Sequence, residues 1–134
     1  MIRIPKKIDY TIKVLEELKK ENRKAPLNLK EIAKRNKISE KYLKQIMPYL
    51  EEKKIVKSIK GPGGGYVLNK SLKNISLLDI FNALKIGFEI APCMGEKGCV
   101  ISKNCYTKNI WMDLNLKIKN FLKSKKIERI ILKK

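Results

Sequence analysis

The three cysteines of the chain lie close together in the sequence. Cys93, Cys99 and Cys105 are spaced C-x5-C-x5-C, with Gly95 and Gly98 between them. Clustered thiolates suit zinc, copper(I) and iron–sulfur clusters, although three thiolates are one fewer than the four protein ligands usual in a closed site. The spacing favours a metal or cluster site with a further ligand or an open position. The alternative is a set of free thiols that sense peroxide or other oxidants through a sulfenate.

Most enzymatic chemistry is excluded by composition. The chain has no histidine, which removes Cys-His and Ser-His nucleophilic catalysis. A glycine-rich loop at 61–66 is not followed by the Lys-Ser or Lys-Thr pair and helix of a phosphate-binding loop. We therefore expect no enzyme, with a thiol peroxidase as the remaining enzymatic alternative.

The charge of the chain indicates a polyanionic partner. Its net charge is +19, from 32 Lys and Arg against 13 Asp and Glu, and nucleic acid is the first candidate. A basic RNA-binding or ribosome-associated protein is one alternative, but three Phe and one Trp are few for base stacking. No apolar run approaches the roughly 20 residues of a membrane span, and the first ten residues do not resemble a signal peptide. We expect a cytoplasmic protein without a membrane partner.

The N-terminal half is predicted to contain a helix-turn-helix. Apolar residues at helical spacing predict a first helix from Lys6 to about Glu21, and a shorter second helix through Leu29, Ile32 and Ala33. Ser39 is a suitable N-cap for a third helix. The core side of this third helix is predicted to carry Leu43, Ile46 and Leu50. Its outer side is predicted to carry Glu40, Lys41, Lys44 and Gln45.

A β-hairpin, or wing, is predicted next. Residues 55–60 and 66–68 have the pattern of two strands, and GPGGGY at 61–66 must be a tight loop between them. Gly63, Gly64 and Gly65 permit positive φ angles and a close approach to a phosphate chain. Ser76 and Asp79 then resemble a capping box at the start of another helix.

The C-terminal part is predicted to hold a long apolar helix from about Thr107 to Phe121. One side of it carries Ile110, Trp111, Leu114, Ile118 and Phe121. A helix this apolar beside so small a domain favours a partner subunit, and ordinary core packing is the alternative. A short helix or frayed tail follows. We predict a mainly α fold with a small β-wing: a winged helix-turn-helix domain at 1–86, a cysteine sensor loop at 87–106, and a dimerisation helix with a tail at 107–134.

These motifs together resemble the Rrf-type winged-helix transcriptional regulators, in particular the branch that contains IscR and NsrR. The resemblance covers nearly the whole chain. It rests on Arg3-Ile4-Pro5 in place of the usual Arg-Leu-Thr, ISEKYLKQI at 38–46, KGPGGGYVL at 60–68, the cysteine triplet, and Trp111-Met112-Asp113-Leu114.

The resemblance implies a homodimer with crossing C-terminal helices that binds a palindromic operator in double-stranded DNA. It also implies an iron–sulfur cluster on Cys93, Cys99 and Cys105, which would control operator affinity in response to redox state, iron–sulfur status or nitric oxide. The DNA-binding residues carried over are Ser39, Lys41, Tyr42, Lys44 and Gln45 for the major groove, and Lys60, Gly61, Pro62, Gly63 and Gly64 for phosphates or the minor groove.

One position departs from the IscR-type pattern. A histidine ligand is usual three residues after the last cysteine, and this chain has Lys108 there, whose ammonium group cannot bind a metal. Asp9 stands where NsrR-like members place a carboxylate ligand from the other subunit. It is alternatively an acid that complements the helix macrodipole. We expect a [4Fe-4S] cluster with Asp9 as fourth ligand, in preference to [2Fe-2S]. The alternative is a cluster-free winged-helix repressor that senses oxidants through cysteine thiols or keeps zinc as a structural ion.

Overall fold

A computed structural model describes residues 3–20, 25–87, 90 and 105–133 of the protein. Six α-helices and one two-stranded antiparallel sheet occur in these ranges. In chain order the elements are α1 (Lys6–Lys20), α2 (Leu29–Asn36), α3 (Glu40–Glu52), β1 (Val56–Ile59), β2 (Gly65–Leu68), α4 (Leu77–Ala83), α5 (Lys108–Ser124) and α6 (Ile127–Leu132), with a 3-10 turn at Leu72–Asn74 before α4. The predicted mainly helical fold with a small β-wing is confirmed.

Local polar side chains set the turn between α2 and α3. The Asn28 side chain accepts a hydrogen bond from the Glu31 amide at 2.8 Å and begins α2. Lys37 ends α2 in the left-handed conformation, with φ of 55°. The predicted cap of α3 is confirmed, because the Ser39 hydroxyl accepts from the Tyr42 amide at 3.4 Å. These caps satisfy orphan backbone groups and fix the angle at which α3 leaves the turn.

The wing is tied to the segment that precedes α2. β1 and β2 pair so that Val56 lies opposite Leu68 and Ile59 opposite Gly65. Leu27 and Tyr66 add an antiparallel bridge through two backbone hydrogen bonds of 3.1 and 2.9 Å. The hairpin therefore has a third partner and does not stand alone, which matters because an isolated two-stranded hairpin is marginally stable in water.

The predicted inner side of α3 is in the core. Leu43 and Leu50 have no exposed surface and Ile46 is 3% exposed. Met47 is also fully buried, which the predicted stripe omitted. These side chains meet buried residues of α1, α2, β1 and α4 in one hydrophobic cluster. The predicted capping box is confirmed as well, since Ser76 and Asp79 exchange hydrogen bonds of 2.8 and 3.1 Å.

The C-terminal helix α6 packs on the N-terminal domain. Ile127 is fully buried, and its amide donates to the Ile75 carbonyl at 2.8 Å. The Leu77 amide donates to the Lys125 carbonyl at 2.7 Å, and an ion pair of 2.9 Å joins Lys19 of α1 to Glu128. The predicted division into 1–86, 87–106 and 107–134 stays a prediction, but α6 shares the core of the domain that precedes it.

The apolar residues of α5 do not share a single environment. Leu122 is buried and Ile118 is half-buried against the core, whereas Ile110 and Phe121 are 59% and 58% exposed. Around the helix, Ile110, Leu114 and Phe121 lie within about 40° of one another and form one row, whereas Ile118 and Leu122 lie further round and form the adjacent row. One row therefore packs on this chain and the other is exposed. No helix in the described ranges is long and apolar enough to cross a membrane.

Candidate nucleic-acid interface

The outer side of α3 is basic and polar. Lys41, Lys44 and Gln45 are all exposed. The Lys44 ammonium lies 3.4 Å from the Glu40 carboxylate in an i, i+4 pair, which holds its side chain along the helix. Ser39 is exposed too, but its oxygen already caps α3, which leaves its hydroxyl hydrogen as the group available to a partner. The structure thus brings four of the five predicted major-groove residues onto one exposed surface.

Tyr42, the fifth predicted residue, has a second role in packing. It is half-buried, and its ring meets the ring of Tyr10 in α1 edge to face, with 5.3 Å between ring centroids and an interplanar angle of 88°. Edge-to-face pairs of this kind contribute about 0.5–1.5 kcal/mol beyond the area they bury. Tyr42 therefore holds α3 against α1 as well as lining its flank.

The tip of the wing is exposed and built by glycines. Lys60, Gly61, Pro62 and Gly63 are exposed, and the Gly64 amide closes the turn by donating to the Gly61 carbonyl at 2.9 Å. Gly61 and Gly63 have φ of 97° and 73°, in the left-handed region. Gly64 has no positive φ, contrary to the expectation for it, and a Cβ there would overlap the backbone carbonyls of Ile59 and Gly61. Glycine is therefore needed at position 64 because there is no room for a side chain, and not because of its φ angle.

A tyrosine joins the wing to α3, a contact that sequence reasoning missed. The half-buried Tyr66 of β2 lies close to the carboxylate of Glu51, near the end of α3. Burial, then the negative charge of Glu51 and the ability of its carboxylate to accept a hydrogen bond, raise the pKa of Tyr66 above its ordinary value of about 10. The wing and the end of α3 are therefore neighbours through these two side chains as well as through the chain itself.

This contact predicts a pH dependence. Because the folded pKa of Tyr66 lies above the unfolded value, its contribution to stability is present below about pH 10 and is lost as pH rises through the folded pKa. A phenolate titration by ultraviolet absorbance, taken as wild type minus Tyr66→Phe, should have its midpoint above 10, and Glu51→Gln should lower that midpoint. A midpoint for Tyr66 that Glu51→Gln leaves unmoved contradicts the contact.

Of the three cysteines, Cys105 is the one that lies within the described residues. Cys105 is half-buried and its sulfur lies 3.5 Å from the Thr107 hydroxyl, just before α5 begins at Lys108. Hydrogen bonds from the Thr107 side chain and the Thr107 and Lys108 backbone lower the pKa of the Cys105 thiol, which favours the thiolate. Cys93 and Cys99 lie outside the described residues. Asp9 is exposed in the first turn of α1.

The described residues alone do not assemble a metal site. No group of three Cys, Asp or Glu side chains converges within residues 3–20, 25–87, 90 and 105–133. The lowered pKa of Cys105 favours the thiolate, the form of cysteine that binds metals, and Cys105 lies just before α5. The donor set of three thiols is thus chemically suited to iron, while its assembly depends on residues beyond those described.

A search against protein families matched residues 4–133 to the Rrf2 model, described as an iron-dependent transcriptional regulator. The chain is 30% identical over 130 residues to the HTH-type transcriptional regulator IscR of Photorhabdus laumondii, a match that covers 97% of this chain and 79% of that protein. It is 31% identical over 121 residues to IscR of Serratia proteamaculans, covering 90% of this chain and 74% of that one.

Solved structures share the fold. CymR, the global cysteine regulator of B. subtilis, is similar with a TM-score of 0.78 and 29% identity, covering 100% of this chain and 99% of that one. IscR of T. potens is similar with a TM-score of 0.71 and 25% identity, covering 98% and 88%. The chain therefore resembles both a regulator named IscR and a cysteine regulator in fold and sequence.

Proposed function

Because the chain belongs to the Rrf2 family of transcriptional regulators, we propose that it binds a palindromic operator as a homodimer and that an iron–sulfur cluster on its cysteines controls this binding. The observation that carries the DNA-binding half is the exposed basic side of α3 beside a glycine-tipped wing, joined by the contact between Tyr66 and Glu51. A helix of this kind fits the major groove, and the wing reaches the adjoining backbone.

The exposed residues divide by chemistry into those that can contact base edges and those that can contact the DNA backbone. Gln45 can make paired hydrogen bonds to adenine in the major groove, and Lys41 and Lys44 can contact guanine or phosphate. At the wing, Lys60 supplies charge while Gly61, Pro62, Gly63 and Gly64 let the backbone come close to the DNA. The glutamine is therefore expected to specify sequence, and Lys60 to supply affinity without specificity.

This division predicts different results for two alanine variants. Gln45→Ala should weaken binding to the preferred sequence by about 1–3 kcal/mol and relax base preference near its contact. Lys60→Ala should weaken binding to all sequences and reduce the salt slope by about one per bound domain. The measurement is fluorescence anisotropy on a duplex of roughly 30 base pairs, enough for two half-sites, selected from a random-sequence pool by repeated binding. If both variants bind the selected duplex and random DNA like wild type, the proposed interface is wrong.

A cluster would be held by Cys93, Cys99 and Cys105, with Asp9 of a second subunit proposed as the fourth ligand. When bound, it would supply a redox-active group that is sensitive to oxygen or nitric oxide. Three observations support the proposal: the thiolate-favouring surroundings of Cys105, the exposure of Asp9 and the iron dependence in the family description. Lys108 begins α5 and offers its backbone amide to Cys105. Its ammonium group is not a ligand.

The structure suggests how the cysteine segment would affect DNA binding. Cys105 lies three residues before Lys108, where α5 begins, and α5 is followed by α6, which packs on α1 through the ion pair between Lys19 and Glu128. A change in the position of Cys105 would therefore shift α5, and with it α6, which is anchored in the DNA-binding domain. A difference of 1–3 kcal/mol between two arrangements would change operator affinity about 5- to 150-fold.

Sensing by free thiols is the second candidate function. It is favoured by the similarity to CymR, a cysteine regulator, at 29% identity over the full chain. The lowered pKa of Cys105 suits it as well as it suits a cluster, since the thiolate is also the form that oxidants attack.

Anaerobic ultraviolet–visible spectra with iron and sulfide assays distinguish the two functions. Wild-type protein reconstituted with iron and sulfide should show the broad visible absorption of thiolate-bound iron. Cys99→Ser should lose it, and Asp9→Ala should lose or alter it. Colourless, iron-free wild type after reconstitution rejects the cluster and leaves thiol sensing as the function.

The proposed homodimer rests on the exposed apolar row of α5. Ile110 and Phe121 are more than half exposed, and Leu114 between them is 37% exposed. Such a row is costly in water and suits a symmetric helix pair.

The double variant Ile110→Glu, Leu114→Glu should shift sedimentation equilibrium toward the monomer by tenfold or more in Kd, about 1.4 kcal/mol. Asn120→Glu, which adds charge to the exposed polar side of the same helix, is the control and should remain dimeric. If the double variant is as dimeric as wild type, this row is not the dimer interface.

A further inference from the structure

A cleft lies beside α3, on the side away from the wing. Its volume is about 300 Å³, and its walls come from α1, α3 and the end of α4. Among the described residues, its lining is Lys7, Tyr42, Gln45, Ile46, Tyr49 and Leu84. None of these side chains is acidic. The cleft shares Gln45 with the exposed side of α3 that is proposed to read bases, so the two surfaces are continuous.

The position of the cleft follows from helix geometry. Glu51 contacts the wing through Tyr66, and Tyr42 precedes it by nine residues, about two and a half turns. Tyr42 and Glu51 therefore project from opposite sides of α3. A helix in the major groove has a sugar–phosphate backbone on each side. With the wing on one backbone, as proposed, the cleft would lie on the side of α3 where the other backbone passes.

Two lysines give this cleft a positive charge. Lys7 lines it from α1, and the Lys85 ammonium lies 6.0 Å from the centre of the Tyr49 ring, at the end of α4. Neither lysine has a carboxylate within ion-pair distance among the residues that the structure describes. Tyr49 is 39% exposed and offers its hydroxyl group as a hydrogen-bond donor.

The backbone fixes where Lys85 stands. Lys85 adopts the left-handed conformation with φ of 58°, and its amide donates to the Asn82 carbonyl at 3.1 Å. The next amide, of Ile86, donates to the Phe81 carbonyl at 2.9 Å. This is the geometry of a helix C-terminal cap, where glycine is usual and a lysine is strained. The cap thus fixes where the Lys85 side chain leaves the backbone, and its ammonium lies over the Tyr49 ring.

We propose that Lys7, Tyr49 and Lys85 bind the phosphate backbone of DNA on the side of α3 opposite the wing. This inference rests on the proposed DNA-binding function and adds a second backbone contact to it. Contacts on both sides then hold α3 in the major groove: the wing binds the backbone of one DNA strand, and these three residues bind the backbone of the other. Charge complementarity and continuity with Gln45 favour DNA as the occupant over a small anionic ligand.

The test is the salt dependence of binding to the selected duplex, measured for Lys7→Gln, Lys85→Gln and the control Lys123→Gln, an exposed lysine of α5 outside the cleft. Each cleft variant should reduce the slope of log K against log salt by about 0.9 per bound domain. Raising salt from about 50 to 200 mM should then weaken each cleft variant about fourfold less per domain than wild type. Lys123→Gln should keep the wild-type slope, and Lys85→Arg should restore it.

The failure of this inference is separable from failure of the proposed function. If Lys60→Ala reduces the slope and the cleft variants do not, the protein binds DNA through the wing and the second contact is wrong. The same pattern is expected if the cleft binds a small anion. If the wild type shows no salt-dependent binding to any duplex, the DNA-binding function itself fails. Melting curves from circular dichroism confirm that each variant is folded, so an unchanged slope overturns the inference.

Discussion

Replacing Gly64 with alanine is expected to reduce affinity for the selected duplex about 30- to 150-fold, equivalent to about 2–3 kcal/mol. A Cβ at this position would lie 2.8 Å from the Gly61 carbonyl oxygen and would overlap the Ile59 carbonyl. Both are backbone atoms, so the turn itself must move. The hydrogen bond from the Gly64 amide to the Gly61 carbonyl would be lost with it, and the tip of the wing would no longer match the DNA backbone.

Gly63→Ala is the matched control for this variant. Gly63 has φ of 73°, but a Cβ there would meet nothing within 4 Å. The cost is then at most that of the left-handed conformation, about 1 kcal/mol, so affinity should fall by no more than roughly fivefold. Titration of both variants by fluorescence anisotropy provides the comparison. A Gly63→Ala variant that binds as weakly as Gly64→Ala, or more weakly, contradicts the turn described for residues 61–64.

Replacing Ile127 with alanine is expected to destabilise the protein by about 2–5 kcal/mol. Ile127 is fully buried, and its neighbours are backbone-paired to the segment around Ile75 and Leu77. Removal of its side chain leaves a cavity in the core of the DNA-binding domain, although it lies near the end of the chain. Urea unfolding at matched protein concentration measures the loss.

Leu132→Ala is the control for Ile127→Ala. Leu132 lies in the same helix and is 70% exposed, so its replacement should change the free energy of unfolding by less than about 0.5 kcal/mol. If Ile127→Ala is as mild as Leu132→Ala, then α6 does not contribute to the core. The route from the cysteine segment through α5 and α6 to α1 would then lack its anchor.

The features predicted correctly from sequence are those that neighbouring residues decide. Ser39 caps α3 and Ser76 pairs with Asp79 because each hydrogen bond spans three residues. The inner side of α3 follows from the 3.6-residue period. The glycines of the wing were recognisable as a group from the sequence. Only the folded turn shows that Gly63 is needed for its positive φ and Gly64 because a side chain has no room there.

Contacts between distant residues were not predictable in the same way. Lys19 and Glu128 are separated by 109 residues, and neither position has a pattern that names its partner. The same holds for Tyr66 with Glu51 and for Leu27 with Tyr66. A single sequence shows the type of each side chain, whereas these pairings are set by the packing of whole elements. The position of α6 in the core is the largest such consequence.

Of the candidate site, the exposed side of α3 and the wing could be anticipated because polar residues fall between apolar ones at helical and strand spacing. The cleft at Lys7, Tyr49 and Lys85 could not, because it joins three helices and depends on the left-handed backbone of Lys85. The cysteine triplet was recognisable by its spacing alone, and Cys105 is its member within the described residues.

The most direct measurement is the Kd for the selected duplex, determined anaerobically for wild type reconstituted with iron and sulfide and for Cys99→Ser treated in the same way. If the cysteines hold a cluster that controls DNA binding, the two Kd values should differ about 5- to 150-fold, or 1–3 kcal/mol. Equal Kd values, with iron and sulfide bound to the wild type and absent from the variant, would contradict the account.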